Sequence, residues 1–184
     1  MTDKASLTSL INLESLLDFS ARLNESNDEY FICNSLILTV MGKLRLLRSC
    51  VLVPSNNSLK ILVAKGKVEF TEIPLFTINT PVVITREISV VLFDNGFRYC
   101  FPLLHHDKVM AILCVGSIPS NILSEEEIQY GTLVCSIAAN ALHSARTNAD
   151  IVRQKNEMEM QNQLLTTIFE VNREFSALLT SKIE

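Results

Sequence analysis

Residues 99–146 read YCFPLLHHDKVMAILCVGSIPSNILSEEEIQYGTLVCSIAANALHSAR. Two apolar runs, Arg98–Leu104 and Val109–Ser117, flank the polar His105-His106-Asp107-Lys108, the pattern of a β-hairpin. Ser124-Glu125-Glu126-Glu127 then has the form of a capping box, its acids favouring the positive end of a helix, with Leu123 and Ile128 at the positions of a hydrophobic staple. The helix so opened is apolar from Leu133 to Ala145. It is polar from Arg153 to Gln163 apart from Met158 and Met160, and apolar again from Leu164 to Phe175. Neither Gly nor Pro follows Gly131, so nothing halts this helix before Glu184. Unbroken from Glu125, it would span about 90 Å at a rise of ~1.5 Å per residue. A helix with a polar middle is not held along its whole length by its own domain, and such helices are normally supported by a second copy.

Upstream, Leu7–Leu23 repeats apolar residues at three- and four-residue steps (Leu10, Leu13, Leu16, Leu17, Leu23) and reads as a helix, expected at the periphery. Ser26-Asn27-Asp28-Glu29 has the S-x-x-E form of a capping box. It opens a second helix, expected to turn Tyr30, Ile37, Val40, Met41, Leu44 and Leu47 toward a core. Ser49–Pro54 and Leu59–Ala64, joined by Ser55-Asn56-Asn57-Ser58 and closed by Gly66, form another hairpin. Lys67–Ile78 reads as irregular strand around Val68, Phe70 and Ile73, confined to a sheet edge by Pro74. Pro81 starts a short apolar piece, Val82–Ile84. Thr85 is placed to cap a short helix, Arg86–Asp94, that Asn95-Gly96 ends with a left-handed residue while Phe97 packs back.

The 184 residues, 48% hydrophobic and 20% charged, suit one domain of ordinary size with a well-filled core plus an extension. The net charge of -4 and the lack of a Lys/Arg cluster exclude the basic face that nucleic acid requires. The N-terminus has no basic start followed by an apolar run, so it is not read as a secretory signal. Every apolar run is broken well short of the roughly 18 residues of a membrane span, so no membrane partner is expected. Five cysteines, Cys33, Cys50, Cys100, Cys114 and Cys135, lie inside apolar runs without CxxC spacing. That usage fits a reducing cytoplasm, with cysteine as a small core residue.

The order helix, helix, hairpin, irregular segment, short helix, hairpin, long helix resembles a GAF domain, the small sensor module of bacterial and eukaryotic signalling proteins. The likeness rests on Cys100-Phe101-Pro102-Leu103-Leu104, Val109-Met110-Ala111-Ile112-Leu113, the Ser124 helix start, the Ala-rich helix Leu133–Ala145, and Thr80-Pro81-Val82-Val83-Ile84. It covers about Leu7–Arg146 and implies an α+β fold: an antiparallel sheet flanked by helices in α/β/α layers, with a long C-terminal helix. It also implies a pocket on one sheet face, a homodimer through the first and last helices, and a last helix running on as a coiled coil into an output domain of the same chain. The expected domains are a sensor over residues 1–146 and, over 147–184, a helical linker or the beginning of a second similar domain. Leu17–Leu23 and Phe169–Phe175 share a pattern, which fits either a short repeat or two unrelated amphipathic helices.

Departures from the family bear on cofactors. The Asn-Lys-Phe-Asp-Glu set of cyclic-nucleotide-binding members is not matched, since Phe93-Asp94 is followed by Asn95. No cysteine stands in an evident loop to hold a bilin or to serve the family's methionine sulfoxide reductases. No cofactor is therefore expected. Nor is catalysis, because no nucleophile–base set, paired acids or phosphate-cradling Gly loop is present.

Arg86, Phe93, Asp94 and Arg98 flank the expected pocket edge, where their charges meet either a polar ligand or solvent. His105 and His106, adjacent on a strand, should point to opposite faces and so make a poor chelating pair. His143 is expected at a helix interface or in solvent. Cys100 and Cys114 face each other if the hairpin centres on Asp107, as packed core thiols rather than a redox pair. A heptad seam through Ala138, Leu142, Ala145, Ala149, Val152, Asn156, Glu159 and Gln163 starts apolar and turns polar, fitting a weak coiled coil or a plain exposed helix. With Leu13 and Leu17 of the first helix, Leu142, Ala145, Ala149 and Val152 form the expected dimer interface. The expected function is that of a sensory and dimerising regulatory domain in cytoplasmic signal transduction, the alternative being a small-molecule binding module with an occupied pocket.

Overall fold

Side chains alternate across a strand, and the central strands here are apolar at nearly every position, so both faces of the sheet must be covered. The computed structural model describes residues 15–116 and 122–180, with side chains to Arg173. A helix over residues 15–24 (α1) and α2 (Glu29–Leu44) lead into the hairpin β1 (Arg48–Ser55) and β2 (Ser58–Lys65). The short strands β3 (Glu72–Pro74) and β4 (Val82–Val83), the helix α3 (Val90–Asp94) and the hairpin β5 (Phe97–His105) and β6 (Lys108–Gly116) follow. The last element is α4 (Glu125–Thr180). The six strands form one antiparallel sheet in the order β3-β2-β1-β6-β5-β4. The chain divides into two units, Met1–Arg146 and Thr147–Glu184.

One face of the sheet carries Val51, Val63, Tyr99, Phe101, Leu103, Ala111, Leu113 and Val115, buried against residues of α1, α2 and the start of α4. The other carries Cys50, Leu52, Leu59, Cys100, Ile112 and Cys114, covered by Ile73, Ile78, Ile84, Leu92 and Phe97. α4 presents Val134, Cys135, Ala138, Ala141, Leu142 and Ala145 inward at helical spacing. Gly131 lies so close to Phe101 that a Cβ would sit 2.8 Å from its ring.

Local chemistry sets the ends of these elements. Ser124 Oγ accepts from Glu127 N at 3.2 Å and Glu127 Oε2 accepts from Ser124 N at 2.8 Å, the reciprocal capping box expected from the sequence. Ser124→Ala should cost about 1 kcal/mol, read from the urea midpoint at unchanged slope. Pro74 does lie on the edge strand, and Gly96 takes φ +77° after α3.

Other boundaries differ from the expectation. Asp28, not Ser26, caps α2, its carboxylate accepting from Tyr30 N at 2.8 Å. Ser26 Oγ instead accepts from Asp28 N, because the helix begins one residue after the aspartate. Arg45, at φ 53°, ends α2, so Leu47 falls beyond it and is exposed while Leu46 is buried. Tyr30 is also exposed; Ile32, Cys33 and Leu36 take the inward positions. α1 is not peripheral, since Phe19 and Leu23 are fully buried. The short helix starts at Val90 with Ser89 as its cap, while the Thr85 carbonyl accepts from Ile88 N and Ser89 N in the preceding turn. The expected start of the first helix at Leu7, the last residue of its hairpin, Ser117, and the helix end at Glu184 lie outside the described residues.

The dimer seam needs correction at two positions. Leu142 and Ala145 are buried in the core of a single chain, packed toward the sheet with Ala138, and cannot also meet a second copy. Leu17, Ala149 and Val152 are exposed, and Leu13 lies outside the described residues. In the second unit, described by itself, every residue of α4 from Thr147 to Arg173 is exposed.

Candidate functional site

The chemistry of the pocket side gathers at the junction of α3 and β5. Ser89 starts α3, and Gly96 turns the chain back into β5. Arg48 holds this junction from β1: its guanidinium donates to the Asn95 carbonyl and packs over Gly96, where a Cβ would lie 3.0 Å from Nη1. Asn95 in turn accepts from Glu69 N through Oδ1 at 3.0 Å and donates through Nδ2 to the Val91 carbonyl at 3.0 Å. One side chain thus ties the irregular segment after β2 to α3. Sequence reading missed Arg48 and Asn95 in this role; an arginine at the start of a buried strand was the available signal.

The four residues expected at the pocket edge are brought together here. Arg98 Nη1 donates to the Phe93 and Phe97 carbonyls at 3.2 and 2.9 Å, with its guanidinium carbon 4.7 Å from the Phe93 ring centre. Arg86 lies 5.5 Å from the same ring and pairs with Asp94 at 3.2 Å. Each cation–ring contact is worth ~0.5–1 kcal/mol at an exposed site. The Arg86–Asp94 pair is solvent-exposed and correspondingly weak. An incoming anion would compete with Asp94 for Arg86, whereas Arg98 is committed to main-chain carbonyls. Below this edge the sheet face is apolar, with Ile84, Leu92 and Phe97 buried on it. A groove of about 260 Å³ opens elsewhere, at the end of α1 and the start of α2, lined by Arg22, Glu25, Ser26 and Phe31.

Across that apolar face, Ala64, Cys50, Cys114, Cys100 and Val82 form one rung through five strands. The Cys100 and Cys114 sulfurs are 3.1 Å apart. Burial first, then the neighbouring thiols, pushes the Cys114 thiol well above its ordinary value, so little thiolate is available for reaction. Burial likewise raises Cys135, and Cys33 is pushed up to about 12. All five cysteines are buried and free.

The chain's three histidines also meet. His106 and Asp107 both have positive φ, 44° and 61°, the two-residue turn that suits a hairpin. Left-handed backbone at His106 overturns the opposite-faces expectation. Its ring packs edge-on to His105, with centres 4.4 Å apart. His143 of α4 stacks on His105 at 3.8 Å and 14°, and His105 Nδ1 is 2.9 Å from Asn140 Oδ1. His, like Asn and Asp, tolerates the left-handed region, and that was the signal in the sequence.

No family model matches the chain, and no curated protein is similar enough to count as a relative. Solved structures do match it. The GAF domain of an Acinetobacter phosphoenolpyruvate-protein phosphotransferase aligns with a TM-score of 0.60 at 14% identity, over 74% of this chain and 95% of that one. The GAF domain assigned to a sensor histidine kinase of Pseudomonas syringae pv. tomato aligns with a TM-score of 0.60 at 16% identity, over 84% and 99%. Free methionine-R-sulfoxide reductase of Neisseria meningitidis, in complex with its substrate, gives 0.61 at 14%, over 80% and 95%. The chain has the GAF-domain fold, an α+β antiparallel sheet flanked by helices with a long C-terminal helix. Among the described residues, no helix is long and apolar enough to cross a membrane.

Proposed function

We propose that this chain is the sensory and dimerising module of a cytoplasmic signal-transduction protein, regulatory rather than catalytic. It passes conformational change along α4 to an output domain of the same protein. The observation that carries this reading is the second unit. It is helix throughout its described length, yet Ile151, Met158, Leu165 and Ile168 are all exposed. Ile151, Met158 and Leu165 stand seven residues apart, the spacing of one heptad position. Gln154, Gln161 and Ile168 occupy the position three residues further on. Large apolar side chains in this register call for a second helix, and a copy of the same chain supplies one. The polar glutamines weaken the seam, and a weak seam keeps two packings close in energy, which a switch requires.

Light scattering of the purified chain should give twice the chain mass at micromolar concentration. Ile151→Asp with Leu165→Asp should return the monomer mass while the melting of the first unit stays unchanged. A wild-type chain that is monomeric at every concentration sinks the reading.

A second reading, a small-molecule binding module, is favoured by the Arg86–Phe93–Arg98 cluster, where, among the described residues, the Arg86 guanidinium is paired with one exposed carboxylate. Native mass spectrometry distinguishes it: a bound mass that is lost in Arg86→Ala supports an occupied pocket.

A further inference from the structure

Two of the chain's three histidines come from the tip of the β5–β6 hairpin and one from α4, and their rings form a continuous cluster. The stack of His105 on His143 and the 2.9 Å bond of His105 to Asn140 join the hairpin tip to the outer side of α4. We propose that this cluster is a proton-operated latch: neutral rings hold the β5–β6 turn on α4, and charging both stacked rings releases it.

The polar and charged groups around the stack come from two elements. The hairpin supplies His105, His106, Asp107 and Lys108, and α4 supplies Asn140 and His143. The next charged residue along α4 is Arg146, which is engaged with Glu29 of α2 at 2.8 Å and with the Met110 carbonyl. Two imidazoles at stacking distance tolerate one proton between them. A second would place like charges face to face across the 3.8 Å stack, which disfavours the closed arrangement. Desolvation, then His105, His106 and Lys108, holds His143 below its ordinary value of 6.5.

The sign follows from that depression. The unfolded chain, or the released turn, binds a proton more readily than the latched one. The latch is therefore fully closed above the ordinary histidine value and is lost as pH falls from there through the lower, latched value. The ligand of this site is thus a proton. Among the described residues, no group of three or more His, Cys, Asp and Glu is arranged to hold a metal ion.

Histidine-resolved NMR of the full chain, titrated from about pH 8 to about pH 5, tests this. The His143 Cε1–H midpoint should lie at lower pH in the wild type than in His105→Phe, which keeps a stacking ring but cannot charge. Lys108→Gln, an exposed turn substitution, should raise the midpoint in the same direction and keeps the test available if the phenylalanine variant fails to fold. The Asn140 side-chain amide should move with the His143 midpoint, since latch opening removes its partner. Equal midpoints in the wild type and both variants would overturn the proposal. So would an Asn140 resonance indifferent to pH, or a midpoint that shifts on adding a chelator, which would assign the rings to a trace divalent cation.

Discussion

Leu142→Glu should unfold the first unit rather than dissociate a dimer. Leu142 is fully buried in the α4 face that packs on the sheet, beside Ala138 and Ala145. Truncating a buried leucine alone costs ~2–5 kcal/mol through lost contacts and the cavity left behind. A carboxylate in its place adds the cost of burying a charge without a partner, which is several kcal/mol even after relaxation. Total stability for a domain of this size is about 5–15 kcal/mol, so the substitution removes a large share of it. Circular dichroism should show loss of the cooperative thermal transition. A variant that melts like the wild type and differs only in mass would show that the residue meets a second chain after all.

Gly116→Ala is the second large effect. A Cβ at Gly116 would lie 2.3 Å from the Gly96 carbonyl oxygen and 2.9 Å from Phe97 Cα, both main-chain atoms that cannot swing aside. The junction of α3 and β5 must move as a body, and with it the Asn95 contacts to Arg48 and Glu69. We expect a loss of about 2–3 kcal/mol, lowering Tm by roughly 5–10 °C. Gly42→Ala is the control: a Cβ there meets nothing within 4 Å, inside α2. It should stabilise by ~0.5–1 kcal/mol. If the two alanines behave alike, the close approach at Gly116 is not real.

Much of the fold could be read from local chemistry. Ser124 and Glu127 sit at capping distance whatever the rest of the chain does, and the apolar run of β6 has to be central because it has no polar face. Partner choice was harder to read. Two residues compete to cap α2, and spacing alone favours Ser26, whereas Asp28 wins by adjoining the first turn. The heptad through Leu142 is genuine as spacing, but a helix has several faces of that period, and only the tertiary packing says which one meets the sheet. The candidate cluster was legible as residue types near α3. Its arrangement depends on Arg48, 38 residues before Arg86 in the sequence, which the sheet brings to the Asn95 carbonyl beside Asp94. The histidine cluster was hidden because it depends on left-handed backbone at one turn residue and on a helix 35 residues away.

The hairpin that carries two of those histidines also obeys a rule of parity. Thirteen residues, Phe101 to Leu113, separate Cys100 from its partner Cys114. A ladder closed by a two-residue turn consumes residues in pairs, so an odd number leaves one over. Pairing runs His105↔Lys108 and Leu104↔Val109, then resumes at Leu103↔Ala111, and Met110 is the remainder. Its carbonyl, out of step with the ladder, is the one Arg146 takes at 3.4 Å while also holding Glu29. Adding or deleting one residue at the tip would therefore do more than lengthen or shorten a loop. It would decide whether a remainder exists, which side of the sheet His105 presents to α4, and whether Arg146 finds an acceptor on β6.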